Sequence, residues 1–107
     1  MESTTYIKPH ILTMRDEGAD EECVAYVGRE NALFVFRSVD EVAKFRELTG
    51  LYEGLEAVAV DEKDIARTCL RHGLTRICMP EPWTGVNAVE VFDVEVFVRM
   101  LRESLER

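Results

Sequence analysis

The chain of 107 residues carries 21 Asp/Glu against 13 Lys/Arg, a formal charge of −8, and 47% hydrophobic residues. The length suits one domain over residues 1–107 with a real core, and the apolar fraction excludes global disorder. The acid surplus excludes nucleic acid or anionic lipid as a partner held by bulk electrostatics.

The first strand is expected over residues 5–14, with Pro9 confining it to an edge or a sheet end. Residues 15–22 follow, with five acids in the last seven positions and no apolar periodicity, and read as a solvated acidic loop. Cys23–Gly28 and Leu33–Arg37 are β-rich runs joined by Gly-Arg-Glu-Asn-Ala, a hairpin with a longer loop. Leu33-Phe-Val-Phe36 is continuously apolar, as in a central strand covered on both faces. Ser38-Val-Asp-Glu41 is a capping-box pattern that opens a helix over Val39–Thr49, with Val42, Phe45, Leu48 and Thr49 as its buried stripe and Gly50 as its terminator. Glu56–Val60 is a strand. Asp61 then caps a helix over 62–72, with Ile65, Ala66, Cys69 and Leu70 as the apolar face and Gly73 as its end. Leu74–Met79 is a strand stopped by Pro80 and Pro82. Residues 88–92 form a last strand, and Val94, Phe97, Val98, Leu101 and Leu105 fall at helical spacing over 94–105. The order is β-β-β-α-β-α-β-β-α: an α+β fold, a mixed sheet with about three helices packed on it. Three times an apolar strand runs straight into a serine or acid cap and a helix, which points to very short βα turns.

Cys23, Cys69 and Cys78 are odd in number, widely spaced and without a C-x-x-C pair, so reduced thiols are expected. All three lie among apolar residues, where cysteine acts as a small hydrophobe. Cys69-x-x-His72 followed by Cys78 is the one metal-like spacing, and His10 is the only other histidine. Zinc needs four ligands, so the simpler reading puts Cys69 in the core and His72 in a last helical turn, where its partial charge suits the macrodipole. No cofactor is implied: neither G-x-G-x-x-G nor G-x-x-x-x-G-K occurs, and G-x-S-x-G is absent. The carboxylate clusters Asp40/Glu41, Asp61/Glu62/Asp64 and Asp93/Glu95 each fall at a helix start, where capping accounts for them. They would act together only if the βα turns converged at one sheet edge.

The most distinctive segment is Pro80-Glu81-Pro82-Trp83-Thr84-Gly85. Two prolines stiffen it, Gly85 permits a turn, and the sole tryptophan sits inside it. Trp83 has two readings. The simpler folds it back as a lid over the core; the other displays it to a partner, at low entropic cost.

Leu33-Phe-Val-Phe-Arg-Ser-Val-Asp-Glu-Val-Ala-Lys-Phe45 resembles a motif of the N-terminal domain of SseB-type proteins. The resemblance continues through Asp64-Ile-Ala66, Leu70, Gly73-Leu74 and Ile77, about half of the chain. It implies a small α+β module rather than an activity. Met79-Pro80-Glu81 stands where that family tends to show Asn-Pro-Gly. Small immunity-type proteins share similar scaffolds.

The leading expectation is a non-enzymatic binding module that contacts a protein partner or itself through Pro80–Gly85. One alternative is an acidic inhibitor or immunity-type protein masking a basic surface. Another is a small enzyme or metal protein using Cys69, His72, Cys78 or the helix-start acids. No run reaches the ~20 apolar residues of a membrane span, and MESTTYIKPH lacks the basic and apolar regions of a signal peptide. A cytoplasmic site is therefore expected. Residues 1–22 hold six acids and two bases, and residues 23–107 hold 15 and 11, so each part carries −4. Surplus negative charge is densest at Glu17–Glu22.

Overall fold

The computed structural model describes residues 8–15, 22–52, 54–85 and 88–105. The side chains of Cys23 and Leu105 and most of the acidic loop lie outside what is described.

The elements run β1 (His10–Arg15), β2 (Glu22–Val24), β3 (Tyr26–Val27), β4 (Ala32–Phe34), α1 (Val39–Thr49), β5 (Glu56–Ala59), α2 (Glu62–His72), β6 (Arg76–Pro80), β7 (Val89–Asp93) and α3 (Val94–Leu105). This is the expected α+β order, with two refinements at its start. Arg15 pairs with Glu22, so both ends of the presumed acidic loop belong to a β1–β2 pair. The run after Cys23 breaks at Ala25, which divides the strands into two sheets: β2-β1-β5, and β3-β4-β6-β7.

Ala25 is also the joint between them. Its N–H donates to the Leu12 carbonyl at 3.0 Å, and its own carbonyl accepts from Phe34 N–H at 3.1 Å. One residue thus bonds to β1 on one side and to β4 on the other. A second link pairs His10 with Phe36. Pro9 precedes the first strand residue, as a residue without an N–H must, so β1 can be central to its sheet. All pairings are antiparallel except β4 with β6.

The apolar run Leu33–Phe36 is buried on both sides because alternate residues enter different cores. Leu33 and Val35 join Ile11, Ile65, Cys69, Ile77, Phe97 and Leu101 under α2 and α3. Phe36, with Phe34 against it, joins Leu12, Val42 and Phe45 under α1. There Phe34, Phe36, Phe45 and Tyr52 form an aromatic cluster with centroids 5.2–6.4 Å apart. Helices α2 and α3 lie alongside each other, with Arg102 Nε 3.2 Å from Glu62 Oε2.

The helix limits follow from their caps. Asp61 and Asp64 form a reciprocal capping box, and Gly50 and Gly73 end α1 and α2 at φ 67° and 68°. The buried faces differ from the pattern in part. Helix α1 buries Glu41, Val42 and Phe45, while Leu48 is exposed. Helix α2 buries Ile65, Thr68 and Cys69; Ala66 is exposed, and Leu70 is 85% exposed. The α2 stripe is therefore rotated toward Thr68. Among the described residues no helix is long and apolar enough to cross a membrane.

Candidate functional site

Pro80 closes β6 and is buried, as is Pro82 two residues on. Between them, Glu81 anchors the loop at both ends. Its N–H donates to the Ala88 carbonyl at 2.7 Å, and its carbonyl accepts from Thr84 N–H at 2.9 Å and Gly85 N–H at 3.2 Å. Glu81–Thr84 is thus a β-turn with proline at its second position. Trp83 at the third position keeps a negative φ, as a type I turn requires. Gly85 also has no positive φ, and a Cβ there would meet nothing within 4 Å. The turn comes from Pro82, and the backbone at Gly85 makes no demand that only glycine could meet.

With both prolines facing inward, Trp83 faces outward: it is 64% exposed. The expectation of a lid over the core is overturned. The ring instead has the Lys44 ammonium 5.7 Å from its centroid, a cation–π contact from α1.

What holds this loop is Arg37, a residue the sequence did not single out as functional. Its Nη1 donates to Glu41 Oε2 at 3.2 Å and to the Pro80 carbonyl at 3.3 Å. Its Nη2 donates to Glu90 Oε1 at 2.6 Å and lies 3.5 Å from Glu81 Oε1. One guanidinium therefore binds the start of α1, the end of β6, the loop and β7. This also changes the cap of α1. Ser38 Oγ accepts from Glu41 N–H as expected, but the Glu41 carboxylate reaches back to Arg37 N–H at 2.8 Å, one residue before the cap.

The thiol and metal candidates lie elsewhere. Cys69 is packed in the core beneath α2, and Cys78 is buried on β6 between Phe34 and Val91 in the ladder. Burial pushes each thiol up to about 11, with Glu30 adding to the shift at Cys78. Neither holds appreciable thiolate at neutral pH, which a nucleophile or a ligand needs. His72 sits half-buried in the last turn of α2, and among the described residues its Nε2 has no hydrogen-bond partner. His10 Nδ1–H donates to the Lys8 carbonyl at 2.7 Å. Among the described residues no three His, Cys, Asp or Glu side chains gather as metal ligands.

The helix-start carboxylates do not converge. Helix α1 begins beyond the end of β4, whose last residue Phe34 pairs with Cys78, toward the C-terminal end of β6. Helix α3 begins after Asp93, which pairs with Arg76 at the opposite end of β6. Helix α2 covers the other core face from α1. The short βα turns are real, but they open in different places.

No family model, curated protein or solved structure matches this chain.

Proposed function

We propose that this protein is a non-enzymatic binding module that presents Trp83 to a protein partner through the Pro80–Gly85 loop. The observation that carries this reading is the exposure of the sole tryptophan on a loop whose two prolines are buried and whose backbone is bonded at both ends. A large aromatic is normally buried; one held outward on a rigid turn offers contact area with little ordering cost on binding. The burial of the Cys69 and Cys78 thiols, which keeps both protonated, favours a binding role over nucleophilic chemistry at those two residues. The SseB-type resemblance accords with a small scaffold, and its departure at Met79-Pro80-Glu81 falls where this loop begins.

The test is quantitative co-purification from the source cells, comparing the wild type with Trp83→Ala and Leu70→Ala. Leu70 is the more exposed apolar side chain but lies on α2. The reading expects partners lost with Trp83→Ala and kept with Leu70→Ala. Identical partner sets for all three proteins would overturn it.

A further inference from the structure

Strand β7 is the last strand of its sheet. Two bonds flank its ladder with β6: Glu81 N–H to the Ala88 carbonyl at 2.7 Å, and Val94 N–H to the Thr75 carbonyl at 3.1 Å. Bonded and non-bonded pairs alternate in an antiparallel ladder. Ala88 and Val94 are bonded positions, so Glu90 and Phe92 face β6 as well. Val89, Val91 and Asp93 turn their backbone groups outward. Asp93 directly precedes α3, the position whose carbonyl accepts a helix's first bond. Among the described residues, nothing else outside the sheet bonds to these outward groups.

Edges of this kind are usually blunted by lysine, proline or a bulge. The β7 sequence Val-Glu-Val-Phe-Asp has none of these, and its ladder with β6 is unbroken over all five residues. Val89 and Val91 stand exposed on one face, Val91 by 44%. Glu90 is ion-paired with Arg37 at 2.6 Å, and Asp93 stands opposite Arg76, whose guanidinium bonds Glu30. Of the other outer strands, β2 and β3 are only three and two residues long, and β5 is a poorer template. By the same alternation from the Val60 N–H to Pro9 carbonyl bond, it turns out only Ala57 and Ala59.

We infer that β7 pairs antiparallel with β7 of a second copy about a two-fold axis at Val91, joining two sheets into one. The strand is self-complementary in that register. Val91 exchanges two backbone bonds with Val91 of the second copy, and each Asp93 N–H donates to the opposing Val89 carbonyl. Side chains match too: Val91 meets Val91, Val89 meets Asp93, and Glu90 meets Phe92, so no acid faces an acid. Centring the pair on Glu90 would set two glutamates against each other, which disfavours that register. This inference goes beyond the Trp83 reading and stands on different residues.

Native mass spectrometry and sedimentation velocity of the full chain test it. The expected species is a dimer of twice the 12.3 kDa chain mass. Val91→Lys, which puts two like charges at the axis, is expected to leave a folded monomer with an unchanged circular dichroism spectrum. Val91→Cys is expected to give a covalent dimer under mild oxidation, whereas Leu70→Cys and the unsubstituted chain do not. A wild type that stays monomeric at about 100 µM overturns the inference; so does a Val91→Lys protein that remains dimeric. Trp83→Ala separates the two readings. A dimer lost with Val91→Lys and kept with Trp83→Ala supports the edge, whatever the fate of partner capture. A dimer lost only with Trp83→Ala assigns self-association to the loop and removes the edge.

Discussion

Replacing Arg37 by methionine keeps most of the aliphatic stem and removes the guanidinium that ties four segments together. Its cost can be built from the exposure of each partner. Arg37 and Glu41 are the most sheltered pair, with side chains 27% and 10% exposed. A hydrogen bond to a charged group in such a setting contributes about 1.5–3 kcal/mol. The lower part of that range applies, because the Arg37 N–H still satisfies the other Glu41 oxygen. Glu90 is close but half-exposed, and Glu81 is longer at 3.5 Å, so solvent screening leaves them less than about 1 kcal/mol together. The total loss is about 2–3 kcal/mol, or roughly 10 °C in Tm for a domain of this size.

Urea unfolding followed by far-ultraviolet circular dichroism measures this. Trp83 fluorescence does not serve, because the ring is already exposed in the folded state. A cycle with Glu41→Gln should return a coupling of about 1–2 kcal/mol. Hydrogen exchange gives the local readout: the Glu81, Thr84 and Gly85 amides lose protection, while those of α2 lose only what global destabilisation requires. A total loss below about 0.5 kcal/mol would falsify the assignment of Arg37 as the loop's anchor. Loop amides that exchange as in the wild type would refute it equally.

Three further outcomes are expected. The folded-state thiols of Cys69 and Cys78 stand at about 11, above the ordinary thiol value near 9, so their contribution to stability is complete below pH 9 and is lost as pH rises from 9 to 11. Denaturation midpoints across that window should fall, and should fall less in Cys69→Ala/Cys78→Ala after allowing for that variant's own lower stability. Gly73→Ala should cost about 1–2 kcal/mol in chemical denaturation, all of it from φ 68°, because the added Cβ meets nothing within 4 Å; Gly50→Ala should cost about the same. Trp83 emission should lie at the wavelength of hydrated indole and be quenched by acrylamide before any unfolding, and a blue-shifted, protected emission would contradict its outward placement.

Helix limits were legible because cap and terminator residues act through local backbone chemistry. Ser38 with Gly50 and Asp61 with Gly73 fix both ends of α1 and α2 within a few residues of sequence. Helix faces were less legible. In α2 the apolar count favours a stripe through Ala66 and Leu70, yet Thr68 is buried in their place. Which side of a short helix meets the sheet depends on strands far along the chain. The division at Ala25 is of the same kind, since one residue serves two sheets only once β1 and β4 are both in place. Arg37 was the least legible. Its partners Pro80, Glu81 and Glu90 lie 43, 44 and 53 residues away, and no local pattern marks an arginine for that role. The direction of Trp83 was left open because aromatic burial is the default, whereas the turn buries its two prolines and leaves the residue after them outside.

The charge of −8 takes on a different meaning at this loop. Glu81 and Glu90, the acids nearest Trp83 in the loop and in β7, both turn to Arg37, and Lys44 lies against the tryptophan ring. The charged side chains beside Trp83 are therefore already engaged within the chain, Arg37 also holding Glu41 and Lys44 pairing with Glu47. Binding through Trp83 should change little between about 50 and 300 mM salt, because no long-range attraction is there to screen. An acidic surface masking a basic partner would instead lose affinity steeply over the same range. Titrating a captured partner at both salt concentrations distinguishes the two, and a steep loss would move the contact from Trp83 to the acid-rich run at Glu17–Glu22.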